Sequence, residues 1–293
     1  MNLGITGATG LIGSFLVDLA LRRGHEVVAF SRNPSRPIPG CTMRLVDLSP
    51  EAAPPDFSGC EAVIHLAGES VLGLWTQEKK RRIRESRILG TRRVVEGIAA
   101  LNQPPEVLVN GSAIGFYGDS GDRELTEESP AGEGFLSETC QAWEAEARRA
   151  ITERVVLLRT GVVLSPRGGA LGVMAPVFRA GLGGALGSGT QWMSWIHLED
   201  LARMILFAVE DTSVSGPLNG TAPWPVRNAE FTRQLARQLH RPCLFRVPAF
   251  ALRWLGEFSH ELLDSKRVLP ALATAHGFPF RYPELATAFA NLL

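Results

Sequence analysis

Gly7-Ala8-Thr9-Gly10-Leu11-Ile12-Gly13, set between an apolar run and a helix-like stretch, decides how this chain is read. Leu3 and Ile5 lead into the three glycines. Phe15, Leu16, Leu19 and Leu21 supply an apolar helix face after them, and Gly24 is placed to end that helix. A second apolar run, Val27 to Phe30, completes a strand, turn, helix, strand unit of the length of a βαβ crossover. Each glycine has a physical task. Gly7 lets the chain leave the strand in a conformation costly for a residue with a Cβ, Gly10 lets the backbone approach a pyrophosphate, and Gly13 lets helix and strand pack closely. The helix then offers unpaired N–H groups and the positive end of its dipole to that pyrophosphate. A glycine triplet alone is a weak signal; between a strand and a helix, inside one βαβ unit, it marks a dinucleotide site.

The end of the second run selects the dinucleotide. An NAD site places Asp or Glu there, about 20 residues past the turn, to accept from the ribose 2′-hydroxyl. This chain has Ser31 and Arg32. A carboxylate repels a 2′-phosphate, whereas a hydroxyl and a guanidinium hold it through charge-assisted bonds. One such bond contributes about 1.5–3 kcal/mol, so the expectation is an NADP(H) preference of about tenfold to a hundredfold.

With 293 residues the chain can bury one large core, or a main domain and a smaller lobe. Its formal net charge is zero and 45% of it is hydrophobic, so bulk charge favours neither nucleic acid nor an anionic membrane as partner. No apolar run reaches the length of a membrane span. The first strand begins at the initiator methionine and leaves no room for a signal peptide, so a cytoplasmic protein is expected. Cys41, Cys60, Cys140 and Cys243 form no CxxC pair, a spacing that argues against a zinc site or a disulfide framework.

Further along, Met43 to Val46 reads as a third strand ending at Asp47, an acid that suits either the adenine amino group or a turn. Ala62 to Ala67 is a fourth strand, apolar throughout except for His65, which reads as a core histidine. Thr76 to Leu101 is helical, and its interleaved acids and bases mark a solvated face. Val107 to Asn110 is a fifth strand, Asp119 to Phe135 a long loop at the rim of a site, Leu136 to Ile151 a helix and Val155 to Leu164 a sixth strand. This alternation implies a Rossmann-type, doubly wound parallel α/β sheet with its ligand beyond the carboxyl ends of the strands. The stretch Gly168 to Gly189 then holds eight glycines in 22 residues, followed by Trp192 and Trp195, a composition suited to a shaped pocket. His197 and Asp200 begin a helix reaching Val209, with Asp200 as its cap. Asn228 to His240 and Ala249 to Leu263 read as helices of a small C-terminal substrate lobe. The domain expectation is 1–165 for the nucleotide-binding domain, with 196–215 returning to it, and 166–195 with 216–293 for the lobe.

With these residues in hand, the chain resembles the atypical extended short-chain dehydrogenase/reductases. Within them it is most similar to the epimerase-like branch labelled nucleoside-diphosphate-sugar epimerase or cell-division-inhibitor-like. The resemblance runs through GATGLIG (7–13), SRNP (31–34), HLAGE (65–69), GSAIGFYG (111–118), FLSETCQAWE (135–144), GSGTQWMSWIHLEDLA (187–202) and GFPFRYPEL (277–285). His65 stands where the branch usually has Asn. The resemblance implies that Gly7, Thr9, Gly10, Leu11, Ile12 and Gly13 cradle the pyrophosphate and that Leu66, Ala67 and Gly68 pass along it. It further implies that Arg87 adds a phosphate contact, and that Gly161 and Val162 approach the nicotinamide end.

The superfamily's chemistry rests on a Tyr with a Lys four residues later, the ammonium making the phenol a better acid-base at neutral pH. Here the search is exhaustive: the tyrosines are Tyr117 and Tyr282, and Gly121 and Ala286 stand four residues after them. By the resemblance the dyad positions hold Leu136 and Cys140. An unassisted phenol is only about 0.1% ionised at pH 7. The resemblance leaves Ser112, matching the serine that holds a substrate carbonyl, and Tyr117 as substitutes. Two expectations follow. One is an atypical NADP(H)-dependent reductase or epimerase-like enzyme using Ser112 and Tyr117 on an unknown small molecule, with a homodimer as an option. The other is a non-enzymatic NADP(H)-binding sensor or regulatory protein.

Overall fold

Alternating apolar runs and helical stretches build one sheet, in a computed structural model that describes residues 1–49 and 51–293. Its strands are β1 (Asn2–Thr6), β2 (Glu26–Ser31), β3 (Cys41–Leu45), β4 (Ala62–His65), β5 (Val107–Ala113), β6 (Arg154–Thr160) and β7 (Gly216–Gly220). They lie in the order β3-β2-β1-β4-β5-β6-β7, and every pairing is parallel. The direction of winding reverses between β1 and β4, which opens a crevice beyond their carboxyl ends. Both faces of the sheet are covered. Helices α1 (Leu11–Arg22) and α5 (Leu198–Glu210) bury Leu3, Ile5, Val109, Val156 and Leu158, while α2 (Gln77–Ala99) packs Val94 and Ile98 on Phe30, Val63 and Leu108. Helix α3 (Phe135–Ala147) lies beside α2 on the second face, where Trp143 Nε1 donates to Thr91 Oγ1 at 2.8 Å. This two-sided burial is why the central strands read as continuous apolar runs.

A second core gathers Leu171 and Phe178 of α4 (Gly169–Arg179), Phe231 and Leu235 of α6 (Asn228–Gln238), and Phe289 of the terminal helix around Trp195. Four elements differ from what the sequence implies. Gly216–Gly220, expected in the lobe, is β7, the edge strand of the main sheet, with Leu218 fully buried. Its Gly-Pro-Leu-Asn-Gly sequence looks like a turn, and an edge position is what lets a strand carry Pro217. The expected sixth strand breaks at Gly161, where a Cβ would lie 2.7 Å from the Ser194 carbonyl oxygen; Val162–Ser165 then pairs separately with Trp195–His197. The expected helix 249–263 is broken into α7 (Ala249–Leu252), a 3₁₀ turn at Arg253–Leu255 and α8 (Phe258–Leu263), with Gly256 at φ +62° between them. Finally, His197 caps α5, its Nδ1 accepting from the Glu199 amide at 3.0 Å. Asp200 instead accepts from the amides of Arg281 and Tyr282 and so ties down the C-terminal tail.

A buried polar network locks the carboxyl ends of β5, β6 and β7 to α3. Ser112 and Arg159 are register partners in β5 and β6, and both reach Glu144 of α3, which is fully buried. The Ser112 hydroxyl donates to Glu144 Oε1 at 2.8 Å, and the Arg159 guanidinium donates to both carboxylate oxygens at 2.8 and 2.9 Å. The same guanidinium lies 3.5 Å from the centre of the Phe116 ring and donates to the Tyr117 hydroxyl at 2.9 Å. That hydroxyl donates to Asn219 Oδ1 of β7 at 2.7 Å. Buried ion pairs contribute little net stability when intact, but removing one partner strands a charge without water.

His65 is the other buried ionisable group of the sheet. Its Nδ1 lies 2.6 Å from the hydroxyl of Thr6, its register partner in β1, its Nε2 has no partner among the described residues, and burial pushes its pKa down to about 4. The imidazole is therefore neutral at pH 7.

Two outcomes are expected. Arg159→Met, which leaves Glu144 buried without its bidentate partner, should lower unfolding stability by about 3–5 kcal/mol in urea titrations, whereas Arg148→Met on the exposed side of the same carboxylate should cost under about 1 kcal/mol. Because the His65 pKa is depressed in the folded state, the unfolded chain binds more protons between pH 6.5 and about 4, so stability is full above 6.5 and is lost as pH falls. The stability difference between wild type and His65→Asn should therefore fall with acidification by on the order of 3 kcal/mol, and a flat difference would mean that the imidazole is protonated in the fold.

Candidate functional site

The turn after β1 is built as its glycines require. Gly7 adopts φ +72°, and a Cβ on it would come within 2.9 Å of the Ala67 nitrogen, so β1 leaves the sheet against the chain leaving β4. A Cβ on Gly13 would lie 2.1 Å from the Gly7 carbonyl oxygen, so only glycine lets α1 sit this close. The Gly10 amide donates to that same oxygen at 2.9 Å. Gly10 is the N-cap of α1 with no side-chain cap, no acid lies in the first turn, and Thr9 and Gly10 are exposed. Among the described residues the Leu11 and Ile12 amides find no acceptor. Uncapped amides at the positive end of a helix dipole, with no carboxylate to compete, form an anion site.

The other residues of this crevice are at the carboxyl ends of neighbouring strands. Ser31 ends β2 and Arg32 follows it, exposed and without an ion pair among the described residues. Asp47 accepts from the Ser49 amide at 2.9 Å, as a turn-forming acid does, and this holds its carboxyl below the usual range. Leu66, Ala67 and Gly68 follow β4, and Gly161 and Val162 follow β6. Arg87 of α2 reaches over this line: its guanidinium donates to the carbonyls of Glu69 and Ile83 at 2.9 and 3.2 Å and lies 5.1 Å from the Trp143 ring centre. A Cβ on Gly68 would meet that guanidinium at 3.8 Å, an ordinary contact, so Arg87 lies directly beside the chain that leaves β4.

Ser112 and Tyr117, expected to carry chemistry, have their hydroxyls engaged within the protein. The Ser112 hydroxyl has one proton, and it is donated to Glu144. Tyr117 is 1% exposed, and its hydroxyl already donates to Asn219 and accepts from Arg159. Burial also pushes the phenol's pKa up, away from the range of a neutral-pH acid-base. The dyad positions read from the resemblance are on α3. Leu136 is half-buried against Gly115, and Cys140 is buried with its thiol pushed up to about 12, the Arg87 charge only partly opposing that rise. Such a thiol is inert at neutral pH.

Two features escaped the sequence reading. Gly168 and Gly169, read as part of a substrate pocket, lie against Leu11 at the start of α1, where a Cβ on Gly169 would meet the Leu11 side chain at 3.2 Å. The glycine richness was the signal, and it pointed to a close approach without saying to what. Arg159 and Glu144 carried no local signal, since one is a charge in an apolar strand and the other a charge in an amphipathic helix.

Comparison with known proteins agrees with this geometry. The family model "NAD dependent epimerase/dehydratase family" matches residues 3–219, and a domain of unknown function, DUF1731, matches 247–292. The chain is 40% identical over 299 residues to the Epimerase family protein YfhF of Bacillus subtilis (strain 168), covering 100% of this chain and 98% of that one. A crystal structure of the human epimerase family protein SDR39U1 (isoform 2) with NADPH superposes with a TM-score of 0.90 at 34% identity, covering 100% and 99% of the two chains. A nucleoside-diphosphate sugar epimerase from Corynebacterium glutamicum superposes with a TM-score of 0.80 at 36% identity, over 100% of this chain and 58% of that one. The glycine turn, the strand order and these matches together assign the chain to the NAD dependent epimerase/dehydratase family.

Proposed function

We propose that this protein binds NADP(H) and holds it without the proton relay on which its family's turnover depends. The carrying observation is a contrast within one crevice. The cradle is complete, with uncapped α1 amides and an unpaired Arg32 in place of the ribose-binding acid, while the dyad positions hold Leu136 and an inert Cys140. The NADPH of the human SDR39U1 structure supports the cofactor assignment.

The residues fit the phosphorylated dinucleotide. The Leu11 and Ile12 amides would hold the pyrophosphate, and Ser31 and Arg32 the 2′-phosphate, whose charge would otherwise be unpaired. Arg87 supplies a fixed cation beside Cys140, standing in for the charge of the missing ammonium, but no group beside it takes the place of the phenol. When bound, NADP(H) gives or accepts a hydride. The protein's part would be to move a proton at the same carbon's oxygen. Ser112, Tyr117, Cys140 and His65 are each unable to do so, being respectively bonded to Glu144, enclosed, protonated, and enclosed as neutral imidazole. Losing a tuned acid-base costs about 10²–10⁴ in rate. These observations favour a protein that binds its cofactor and reports its state over a reductase or epimerase of ordinary turnover.

Isothermal titration separates the parts of this reading. Wild type should prefer NADPH to NADH, and Arg32→Ala should weaken NADPH by about tenfold to a hundredfold while leaving NADH unchanged. Equal affinities in wild type would refute the phosphate role. Against a panel of aldehydes, ketones and nucleoside-diphosphate sugars, absorbance at the NADPH band should stay constant with the cofactor bound; steady oxidation above the buffer rate would overturn the binding-only reading and leave the cofactor assignment standing.

A further inference from the structure

The formal charge of the chain is zero, but its acids and bases are segregated. From Arg154 to Leu198 there are four arginines and no Asp or Glu, and from Phe231 to Gly256 five arginines and again no acid. The fold joins these two segments. Gly184–Leu186 pairs in parallel with Phe245–Val247, the Gly187 amide donates to the Val247 carbonyl at 2.8 Å, and the Leu182 amide donates to Val177 at the end of α4 at 3.1 Å.

The resulting surface combines protruding apolar side chains with unpaired cations. Leu244 is 83% exposed, Trp254 87% and Phe250 68%, and Leu182 and Phe245 are exposed as well. Phe250 and Trp254 are one helical turn apart on α7 and the 3₁₀ turn that follows. Arg179, Arg241, Arg246 and Arg253 are exposed among these residues, and none makes an ion pair among the described residues. Scattered apolar residues on a surface need no explanation; a cluster of large ones fringed by unpaired cations, with the nearby acid Glu257 already paired to Lys80, does.

We propose that this face docks on an anionic phospholipid bilayer. Charge complementarity selects that occupant. A second copy meeting the same face about a two-fold axis would set these arginines against their like, which is costly. A lipid surface instead attracts them, lets their stems lie along acyl chains, and accepts protruding rings without a matching groove. An indole such as that of Trp254, apolar with one N–H, belongs at the water–lipid boundary. The loop that carries exposed Leu72 and Leu74 is tied to the same lobe, since Trp75 packs on Phe258 of α8 and Lys80 pairs with Glu257. No helix among the described residues is long and apolar enough to cross a membrane, so the association is peripheral. It departs from the expectation drawn from bulk charge, which averages over the segregation.

Vesicle flotation of the full chain tests this. Wild type should float with phosphatidylcholine–phosphatidylglycerol vesicles at low salt, should be released at high salt, and should stay behind with phosphatidylcholine alone. Arg246→Glu and Arg253→Glu should each lower partitioning by at least about fivefold, and Phe250→Ser with Trp254→Ser should abolish it, all with unchanged NADPH affinity and melting temperature. Failure of wild type to float on the anionic vesicles, or equal flotation of the variants, would overturn the proposal. So would sedimentation velocity showing a lipid-free dimer that the same substitutions dissociate, which would assign the face to a second copy.

Discussion

The contact between α1 and the turn before it, closer than any side chain permits, is the constraint on which the rest depends. With a Cβ at residue 13 lying 2.1 Å from the Gly7 oxygen, α1 would have to withdraw from the sheet. Its amides would then no longer point over the ends of β1 and β4, and Leu16, Val17 and Ala20 would lose their seat on Leu3 and Ile5. The apolar core and the anion site are thus two consequences of one close approach. Gly168 and Gly169, brought against Leu11 from far along the chain, extend the same arrangement to the second lobe.

The carboxyl ends of β5, β6 and β7 are governed by a different interaction. Glu144 and Arg159 are both enclosed, and each neutralises the other through two hydrogen bonds, with Ser112 and Tyr117 completing the set. In the resemblance Ser112 is the serine that faces substrate; here its proton is committed to a carboxylate inside the protein. The network therefore fixes the position of α3 on the sheet and removes two polar groups from the crevice.

Charge distribution separates the two halves of the molecule in a way that no total records. The amino-terminal half mixes acids and bases along α2, where Arg81 pairs with Glu85 and Arg82 with Glu78 across single helical turns. Such pairs solvate a surface and cancel its field. Around α4 and α7 the exposed Arg179, Arg246 and Arg253 have no ion pair among the described residues, and large apolar side chains are exposed in the same segments.

What the sequence determined by itself was whatever depends on near neighbours in the chain. The βαβ unit, the central strands, the glycine geometry at Gly7 and Gly13, the absence of a Tyr–Lys pair and the cationic end of β2 all follow from periodicity, backbone freedom or residue spacing. Gly216–Gly220 was missed because an edge strand needs little apolar character, and the helix 249–263 because its break at Gly256 follows backbone conformation rather than hydrophobic period. Only the tertiary structure decided what Ser112, Tyr117, Glu144 and Arg159 do. Their partners are 15 to 102 residues away, so each hydrogen bond exists only after β5, α3, β6 and β7 have been brought together. A polar residue's availability to a ligand depends on which of its bonds are already made inside the protein, and that is a property of packing rather than of the chain.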